Sequence, residues 1–389
     1  MRAHRAARDA GRALPRDARV DHLRRRGESV RQGQGQARLQ VGADADIPRR
    51  HVRAEWSFRE AAEDLSTAAR PYLGIDLGGT QIRSVVAMVE SDAVPKIVAR
   101  DERRTPQTSG DAVIDEVVAS GRDVMRKARV APADVGAAGC SAPGPLDHMT
   151  GVVSQTQNIV GFTNMPIAAR VGDGLGVKVF LDRDTCMAAI AESLIGAAKG
   201  AKDFVYITVS TGVGGAIVTR GRLVRGASNT AGELGHWPVN FQLDASRDAG
   251  DDIPRCKCGS FGCVEAFAAG ANLAEQFGAQ RAGDVYDAAA RGDTRARALV
   301  TRAERALANL AVGITNALNP SLIVVGGSIT EHQPAHVLDP MRAAIAQRAF
   351  RAPAAAVRVV PAALGADVGM HGAVLEARER ASGRGDWFL

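Results

Sequence analysis

Three cysteines and one histidine stand at spacings typical of a metal site. Cys256, Cys258 and Cys263 form a C-x-C-x4-C pattern, and His236 lies 20 residues before the first of them. Three thiolates and one imidazole make a closed tetrahedral shell for Zn²⁺, the usual composition of a structural zinc site. Such a zinc holds a loop rather than performing chemistry, because no position stays open for water. The alternative is a group of reduced cysteines in a surface loop.

Three glycine-rich segments could hold phosphate groups. They cover residues 74–80, 210–215 and 324–328, and each lies at the end of a predicted strand. Glycines let the backbone pass close to a ligand, and successive N–H groups there form a nest for phosphate oxygens. One such segment is equally typical of an ordinary turn, but three together favour a nucleotide site. The sequence has neither a Gly-Lys-Ser phosphate loop nor a Gly-x-Gly-x-x-Gly dinucleotide motif in a strand–helix context.

A carboxylate, Asp184, stands where a predicted strand is followed by a helix. The segment Asp182-Arg183-Asp184-Thr185 joins a strand at about 178–182 to a helix at about 184–198. Asp184 could cap this helix, because a carboxylate at a helix N-terminus accepts unpaired backbone N–H groups. It could equally act as a general base that removes the proton of an alcohol during phosphoryl transfer. The residues alone leave both interpretations open.

Strands that alternate with helical patterns must position these residues, and they predict an α/β architecture with mostly buried sheets. An apolar strand, a glycine pair and a second strand at 81–89 indicate a hairpin from Tyr72 onward. The other strands are predicted at about 134–140, 178–182, 204–210, 213–219, 321–325 and 356–360. Helices are predicted at about 110–129, 166–174, 184–198, 264–281, 295–318, 335–350 and 367–380.

The first 70 residues differ in character from the rest. Residues 1–50 mix Arg, Ala, Gly, Gln and Asp with few aromatic or β-branched residues, so we expect this segment to be disordered. Apolar residues at helical spacing between Trp56 and Ala69 predict one short helix. We interpret residues 1–70 as a tail without catalytic consequence, and a DNA-binding arm is the alternative.

Charge and hydropathy exclude several classes of function. The net charge of +6 comes entirely from residues 1–70, which hold 16 Arg against 10 Asp and Glu, while the remaining 319 residues are balanced. A nucleic-acid binder is expected to concentrate positive charge on its folded surface, so we expect no nucleic-acid partner. The sequence has no apolar run of membrane-spanning length and an Arg-rich start instead of a secretory signal. We therefore expect a cytoplasmic protein without a membrane partner.

The glycine segments and the cysteine cluster together resemble the ROK family, named for repressors, open reading frames and kinases. The resemblance covers about residues 71–380, and its most specific element is E-x-G-H followed by C-x-C-G-x-x-G-C-x-E, at 233–236 and 256–265. The D-x-G-G-T phosphate loop of the family appears at 76–80. Its T-G-x-G-x-G loop appears at 211–216, with Ala216 in place of the last glycine. Further similar segments are the sugar-side loop at 141–147 and the adenosine-side loop at 322–328.

The resemblance implies a two-lobed actin/hexokinase-like fold, which is ribonuclease H-like, with a disordered N-terminal extension. We expect a small lobe at 71–182 with a returning helix at 367–389, and a large lobe at 183–366 with the zinc-binding loop. The implied activity is a glucokinase-type transferase of carbohydrate metabolism. It would move the γ-phosphoryl group of ATP, with Mg²⁺, to a hydroxyl of glucose or a related hexose or N-acetylhexosamine, with the 6-hydroxyl as the expected acceptor. A homo-oligomer, dimer or tetramer, is expected.

The resemblance also assigns roles to residues. Asp184 aligns with the catalytic base, and His236 would bind zinc through one ring nitrogen and sugar through the other. The other substrate-binding residues would be Arg183, Glu233, Glu265 and Gly144. The ATP-binding residues would be Asp76, Gly78, Gly79, Thr80, Thr211, Gly212, Gly214, Gly326 and Gly327. The metal ligands would be His236, Cys256, Cys258 and Cys263.

Arg183 departs from the family pattern, which has Asn at this position. Arginine donates hydrogen bonds but accepts none, so the guanidinium should either turn out of the sugar pocket or contact an oxygen-rich substituent. A cation beside Asp184 should also favour its charged form and weaken it as a base. The alternative function is a non-enzymatic, sugar-responsive transcriptional regulator of the same family, although no helix-turn-helix pattern precedes Tyr72.

Overall fold

The computed structural model describes residues 69–90, 93–156, 159, 161–239 and 253–385. Its strands are β1 (Arg70–Leu77), β2 (Gln81–Val89), β3 (Lys96–Arg104), β4 (Ala138–Ala142), β5 (Leu146–Asp147), β6 (Val152–Gln155), β7 (Thr163–Met165), β8 (Val179–Arg183), β9 (Phe204–Val209), β10 (Val213–Thr219), β11 (Arg222–Leu223), β12 (Leu322–Gly326) and β13 (Arg358–Pro361). Its α-helices are α1 (Gly110–Ala128), α2 (Ile167–Leu175), α3 (Asp184–Ile195), α4 (Val264–Ala268), α5 (Gly270–Phe277), α6 (Ala282–Ala290), α7 (Thr294–Leu318), α8 (Ser328–His332), α9 (Pro334–Arg348), α10 (Arg351–Ala356) and α11 (Val368–Ala381).

Two five-stranded sheets share one arrangement of strands. The first has the order β3-β2-β1-β4-β8 and the second has the order β11-β10-β9-β12-β13. In each sheet three antiparallel strands are followed by two strands parallel to the third. A small third sheet has the order β5-β6-β7. The predicted α/β class is confirmed, and the matching order of the two large sheets is a structural repeat without a short-period repeat in the sequence.

Helices cover both sheets and divide the core into three large clusters. Helices α1 and α2 pack with the first sheet, while α4 to α7 and α9 pack with the second. The third cluster joins residues of both sheets through α3 and α11. Helix α11 therefore returns from the C-terminal end of the described chain to contact β1, β4 and α3.

Two glycines allow α11 to approach its neighbours closely. A Cβ atom on Gly139 of β4 would lie 2.0 Å from the carbonyl oxygen of Ala373, and one on Gly372 would lie 2.1 Å from that of Met187 in α3. Both clashes are with backbone atoms, which cannot move aside as a flexible side chain can. Glycine at these two positions thus fixes α11 against the strand and the helix that lead to the site.

Several element predictions need correction. The structure adds β3, which is rich in charged residues and alternates exposed with half-buried positions, as suits an edge strand. The single helix predicted at 264–281 is divided into α4 and α5 at Ala269, which has an extended backbone. Arg70, predicted to belong to the extension, begins β1.

The N-terminal segment and the lobe boundary remain matters of prediction. The predicted disorder of residues 1–50 and the predicted helix from Trp56 to Ala69 fall outside the described residues, apart from Ala69 itself. All described residues belong to one compact unit, so the division into lobes at 71–182 and 183–366 stays a prediction. Among the described helices, none combines the length and the apolar character that crossing a membrane requires.

Candidate functional site

The parallel strands of the first sheet bring three predicted segments to one edge. Asp76 of β1 pairs in register with Ser141 of β4, which pairs with Asp182 of β8. The Ser141 hydroxyl donates to Asp76 Oδ1 at 2.5 Å. The first glycine loop, the loop at 141–147 and Asp184 all follow these strand ends. Carboxyl ends of parallel strands are where open α/β sheets bind ligands.

Asp76 carries a partner that the sequence pattern did not predict. Arg83 lies directly opposite Asp76 in the hairpin, and its Nε and Nη2 atoms donate to Asp76 Oδ2 at 3.1 and 2.5 Å. The predicted hairpin contained the necessary signal, because its register pairs the two residues. Asp76 is thus held by a cation on one oxygen and by a hydroxyl on the other.

The loop that follows Asp76 is supported by the segment after β3. Thr105 Oγ1 donates to the Gly78 carbonyl oxygen at 2.6 Å, and Gln107 Nε2 donates to that of Gly79 at 3.0 Å. The Thr105 N–H donates to the Thr80 carbonyl oxygen at 2.9 Å. With its carbonyl oxygens used in this way, the loop is fixed in position beside the sheet edge.

Asp184 is the first residue of α3, and its contacts do not include the capping bond that the sequence left open. Its Oδ1 accepts the backbone N–H of the next residue, Thr185, at 2.7 Å, while Arg183 occupies the N-cap position and makes no side-chain cap hydrogen bond. Asp184 is exposed to solvent. Desolvation by the surrounding protein, with repulsion from Asp76 as the next cause, raises the pKa of Asp184 to about 6. Arg183 favours the charged form of Asp184, as expected, but desolvation and Asp76 outweigh its effect.

The Arg183 side chain points to Glu233. Its side chain is 3% exposed, and Nη1 donates to Glu233 Oε1 at 2.9 Å. Nη2 donates to the Ala231 carbonyl oxygen at 2.5 Å and contacts Cys186 Sγ at 3.4 Å. A Cβ atom on Gly144 would lie 3.2 Å from Arg183 Cδ, so the loop at 141–147 borders the same side chain. The arginine therefore lies against two other residues predicted to line the sugar pocket, Glu233 and Gly144.

A second ion pair, also absent from the sequence-based predictions, lies beside the first and is largely buried at both ends. Arg225 Nη1 and Nη2 donate to Asp182 Oδ1 and Oδ2 at 2.8 and 2.7 Å, and Asp182 is fully buried. The Arg183 N–H also donates to Asp182 Oδ1, at 2.7 Å. This bidentate pair ties the segment that leads to Glu233 to the end of β8.

The four predicted metal ligands come together as expected. One ligand atom from each of His236, Cys256, Cys258 and Cys263 lies within 4.8 Å of all the others. His236 Nδ1 is 3.6 Å from Cys256 Sγ, and the Sγ atoms of Cys258 and Cys263 are 3.8 Å apart. Tetrahedral Zn²⁺ with ordinary Zn–N and Zn–S bonds requires edges of about 3.6 and 3.8 Å, so this donor set fits the ion. Gly259 and Gly262 adopt φ of 95° and 73°, which the tight reversal between the cysteines requires.

Glu265 connects the cysteine cluster to the second glycine loop. Its Oε1 lies 3.8 Å from Cys256 Sγ, and its Oε2 accepts the Val213 N–H at 3.1 Å. A Cβ atom on Gly212 would lie 3.0 Å from Glu265 Oε2, so this loop lies directly against the carboxylate. A change in the cluster is therefore expected to reach the loop at 210–215 through one side chain.

The second and third glycine loops adjoin each other at one edge of the second sheet. Thr208 of β9 pairs with Gly326 of β12, so both strands end at the same edge. Gly327 has a φ of 93°, and a Cβ atom there would lie 2.5 Å from the Val209 carbonyl oxygen. The loop at 210–215 is further held where the Ala271 N–H donates to the Thr211 carbonyl oxygen at 3.2 Å.

Gly214 joins this region to the first one. A Cβ atom on Gly214 would lie 2.8 Å from Thr185 Cγ2, next to Asp184. Asp184 thus stands where the strand ends of the first sheet meet a loop of the second. Of the predicted site residues, Gly214 is the one that these contacts bring next to the Asp184 segment from the second sheet.

Comparison with known proteins agrees with this arrangement. The model of the ROK family matches residues 72–380. The glucokinase of Halalkalibacterium halodurans is 30% identical over 282 residues, which are 67% of this chain and 81% of that protein. The crystal structure of the ROK hexokinase from Thermus thermophilus superposes with a TM-score of 0.64 and 32% identity, covering 80% of this chain and 99% of that one. The xylose repressor of Bacillus subtilis is 25% identical over 304 residues, 75% of this chain and 73% of the repressor. The family match spans most of the chain and includes both sheets and the cysteine cluster, and the chain belongs to the ROK family.

Proposed function

We propose that this protein is a sugar kinase that transfers the γ-phosphoryl group of ATP to a hydroxyl of glucose or a related hexose or N-acetylhexosamine, at the 6-position. The observation that carries the proposal is the position of the exposed Asp184 carboxyl, which follows the strand ends of the first sheet and adjoins the Gly214 loop of the second. Its pKa is raised to about 6. A general base works best when its pKa lies near the working pH. The similarity to a glucokinase and to a ROK hexokinase supports the same reaction class.

The glycine loops would hold MgATP as the second substrate. Their backbone N–H groups can surround phosphate oxygens, and glycine keeps the approach free of side chains. The residues proposed for this role are Asp76, Gly78, Gly79, Thr80, Thr211, Gly212, Gly214, Gly326 and Gly327. Transfer of a phosphoryl group needs positioning and charge stabilisation above all, which a set of fixed donors supplies.

Asp184 would accept the proton of the sugar hydroxyl that attacks the phosphoryl group. Gly144, Glu233, His236 and Glu265 would bind the other hydroxyls. The small lobe (71–182 with 367–389) and the large lobe (183–366) are proposed to close over the substrates, which would exclude water from the phosphoryl group.

Arg183 would act on the sugar through Glu233. Because Nη1 already holds one oxygen of Glu233, that carboxylate is fixed as a hydrogen-bond acceptor. Glu233 stays 45% exposed, so it remains reachable by a ligand. The arginine itself has donors committed to Glu233 and to the Ala231 carbonyl oxygen. We therefore propose that it shapes the pocket instead of replacing the hydroxyl contacts of the family asparagine.

A structural Zn²⁺ is part of the proposal. His236, Cys256, Cys258 and Cys263 would hold it, and the ion would stabilise the fold of the loop that carries them. By fixing the position of Cys256 it would also fix Glu265, which contacts both that sulfur and the loop at 210–215.

The similarity to a xylose repressor keeps one alternative, a sugar-responsive transcriptional regulator without kinase activity. A sugar sensor has no need of three intact phosphate-binding loops, which favours the kinase. We also propose that the protein is a cytoplasmic homo-oligomer without a nucleic-acid partner. Light scattering of the purified protein measures its oligomeric state.

A coupled ADP-release assay over several sugars tests the proposed function. The full chain is assayed with MgATP and glucose, mannose, fructose, N-acetylglucosamine or N-acetylmannosamine, and Asp184→Asn serves as the matched control. We expect turnover with at least one aldohexose or N-acetylhexosamine and little turnover in the variant. Sugar binding by calorimetry without turnover of any of the five would contradict the kinase and support the regulator.

A further inference from the structure

A cavity of about 630 Å³ opens beside the first sheet, and none of its lining residues is among those assigned to the kinase site. It lies between α2, strand β8, the turn after β5 and helix α11. Its volume is within the range of small-molecule sites, about 300–1,000 Å³. The lining residues that bear on ligand binding are His148, Thr150, Ala169, Lys178, Phe180 and Arg380.

His148 lines this cavity and has a buried polar side chain without a partner among the residues described. The residue is 5% exposed, and neither ring nitrogen has a hydrogen-bond partner in the part of the chain that the structure describes. Buried polar atoms in proteins are nearly always hydrogen-bonded, so such a ring indicates a missing partner. Burial, with repulsion from Arg225 next, lowers the pKa of His148. The neutral ring then offers one donor and one acceptor, which suits a hydroxyl group.

Two cations lie against one aromatic ring in the cavity wall. Lys178 Nζ is 4.9 Å and Arg380 Cζ is 4.5 Å from the centre of the Phe180 ring. Lys178 is exposed and has no ion-pair partner among the described residues. Such an arrangement keeps both charges beside the cavity while the ring covers their apolar stems.

The charge of Arg380 is only partly compensated. Its Nη1 atom lies 3.1 Å from Glu376 Oε1, and its Nη2 donates to the His148 carbonyl oxygen at 3.2 Å. Burial, with repulsion from Asp182 next, raises the pKa of Glu376. Among the lining residues Lys178 and Arg380 are the two cations and Asp173 is the one acid, so basic groups outnumber acidic groups in the lining.

We propose that this cavity is a second ligand site that binds a small phosphate ester carrying hydroxyl groups, such as a sugar phosphate. Lys178 and Arg380 contact the phosphate, and His148 and Thr150 bind the hydroxyls. Phosphate is the group that pairs of cations recognise most readily, whereas a neutral sugar makes no use of them. The site is independent of the proposed kinase reaction, although strand β8 lines it and ends just before Asp184.

Calorimetry and hydrogen–deuterium exchange on the full chain test this site. The probes are glucose 6-phosphate, inorganic phosphate and glucose. We expect glucose 6-phosphate to slow exchange in peptides covering 147–151 and 168–181, glucose to leave these peptides unchanged, and phosphate to bind more weakly. Lys178→Glu should weaken glucose 6-phosphate binding at this site at least about tenfold, because it replaces attraction by repulsion.

Two further variants make the test specific. Lys199→Glu changes another exposed lysine to the same residue and should leave binding within about twofold. Ala169→Phe, on the exposed side of α2, should fill the cavity and abolish the protection without unfolding the chain, which thermal melting checks. Protection confined to 76–80, 210–216 and 326–328 would place the ester in the kinase site and overturn the proposal. Unchanged binding by Lys178→Glu, equal affinity for phosphate and ester, or the absence of binding would overturn it as well.

Discussion

The ionisation of Asp184 is expected to set the lower pH limit of phosphoryl transfer. With a pKa of about 6, roughly 90% of the carboxyl is deprotonated at pH 7 and roughly 9% at pH 5. The rate should therefore fall about tenfold between these values if the carboxylate is the base. An aspartate with an ordinary pKa of about 3.9 would lose less than roughly 10% of its charged form over the same range.

Initial rates of ADP release between pH 5 and pH 8, with saturating MgATP and sugar, measure this profile. Asp184→Asn keeps the shape of the side chain but cannot take the proton, so we expect a loss of roughly 10²–10⁴-fold. The residual rate of this variant, measured over the same pH range, controls for titration of the nucleotide and should show no inflection near pH 6. A sample held at pH 5 and assayed at pH 7.5 controls for unfolding.

The same substitution should stabilise the folded protein at pH 7.5. Because the folded-state pKa of Asp184 is raised, the folded protein binds this proton more tightly than the unfolded chain does. The contribution of the group to stability is therefore favourable at low pH, declines between about pH 4 and pH 6, and is least favourable above that. Asparagine carries no charge to desolvate or to repel Asp76. The Asp184→Asn variant should therefore have a higher melting temperature at pH 7.5 than the natural chain. A flat rate profile down to pH 5, together with full activity of Asp184→Asn, would refute the general-base role.

Three other changes test neighbouring parts of the site. Arg183→Asn should release Glu233 from its ion pair and broaden or shift sugar preference, with the KM for ATP nearly unchanged. Kinase activity that appears only in this variant would identify the natural chain as a sugar sensor. Cys258→Ser should lower thermal stability and sugar affinity together, because the cluster fixes Glu265. Metal analysis should show the loss of about one Zn²⁺ per chain. A zinc-free protein with unchanged sugar affinity would contradict this expectation. Arg225→Ala should lower the free energy of unfolding in urea by about 3–5 kcal/mol, because it leaves the buried Asp182 carboxylate unpaired. Arg281→Ala removes an exposed ion pair and should cost less than about 1 kcal/mol; equal effects of the two substitutions would refute this account.

The sequence alone determined the parts of the site that depend on residue type at short separation. The cysteine pattern placed three predicted ligands within eight residues, and Gly259 and Gly262 have the positive φ that the reversal needs. The hairpin and the glycine loops followed equally from local pattern, because turn residues and strand periodicity act over a few residues. Asp184 was found in the same way, as a carboxylate at a strand–helix junction.

The tertiary structure decided which distant residues meet and what charge they carry. Arg183 pairs with Glu233 across 50 residues, and Arg225 pairs with Asp182 across 43. No local pattern encodes such pairs, because the packing of two sheets with their helices sets the distances. The net pKa of Asp184 could not be predicted from its neighbour Arg183 for the same reason. Desolvation and the nearby Asp76 outweigh that adjacent cation, and both act through space and not along the chain.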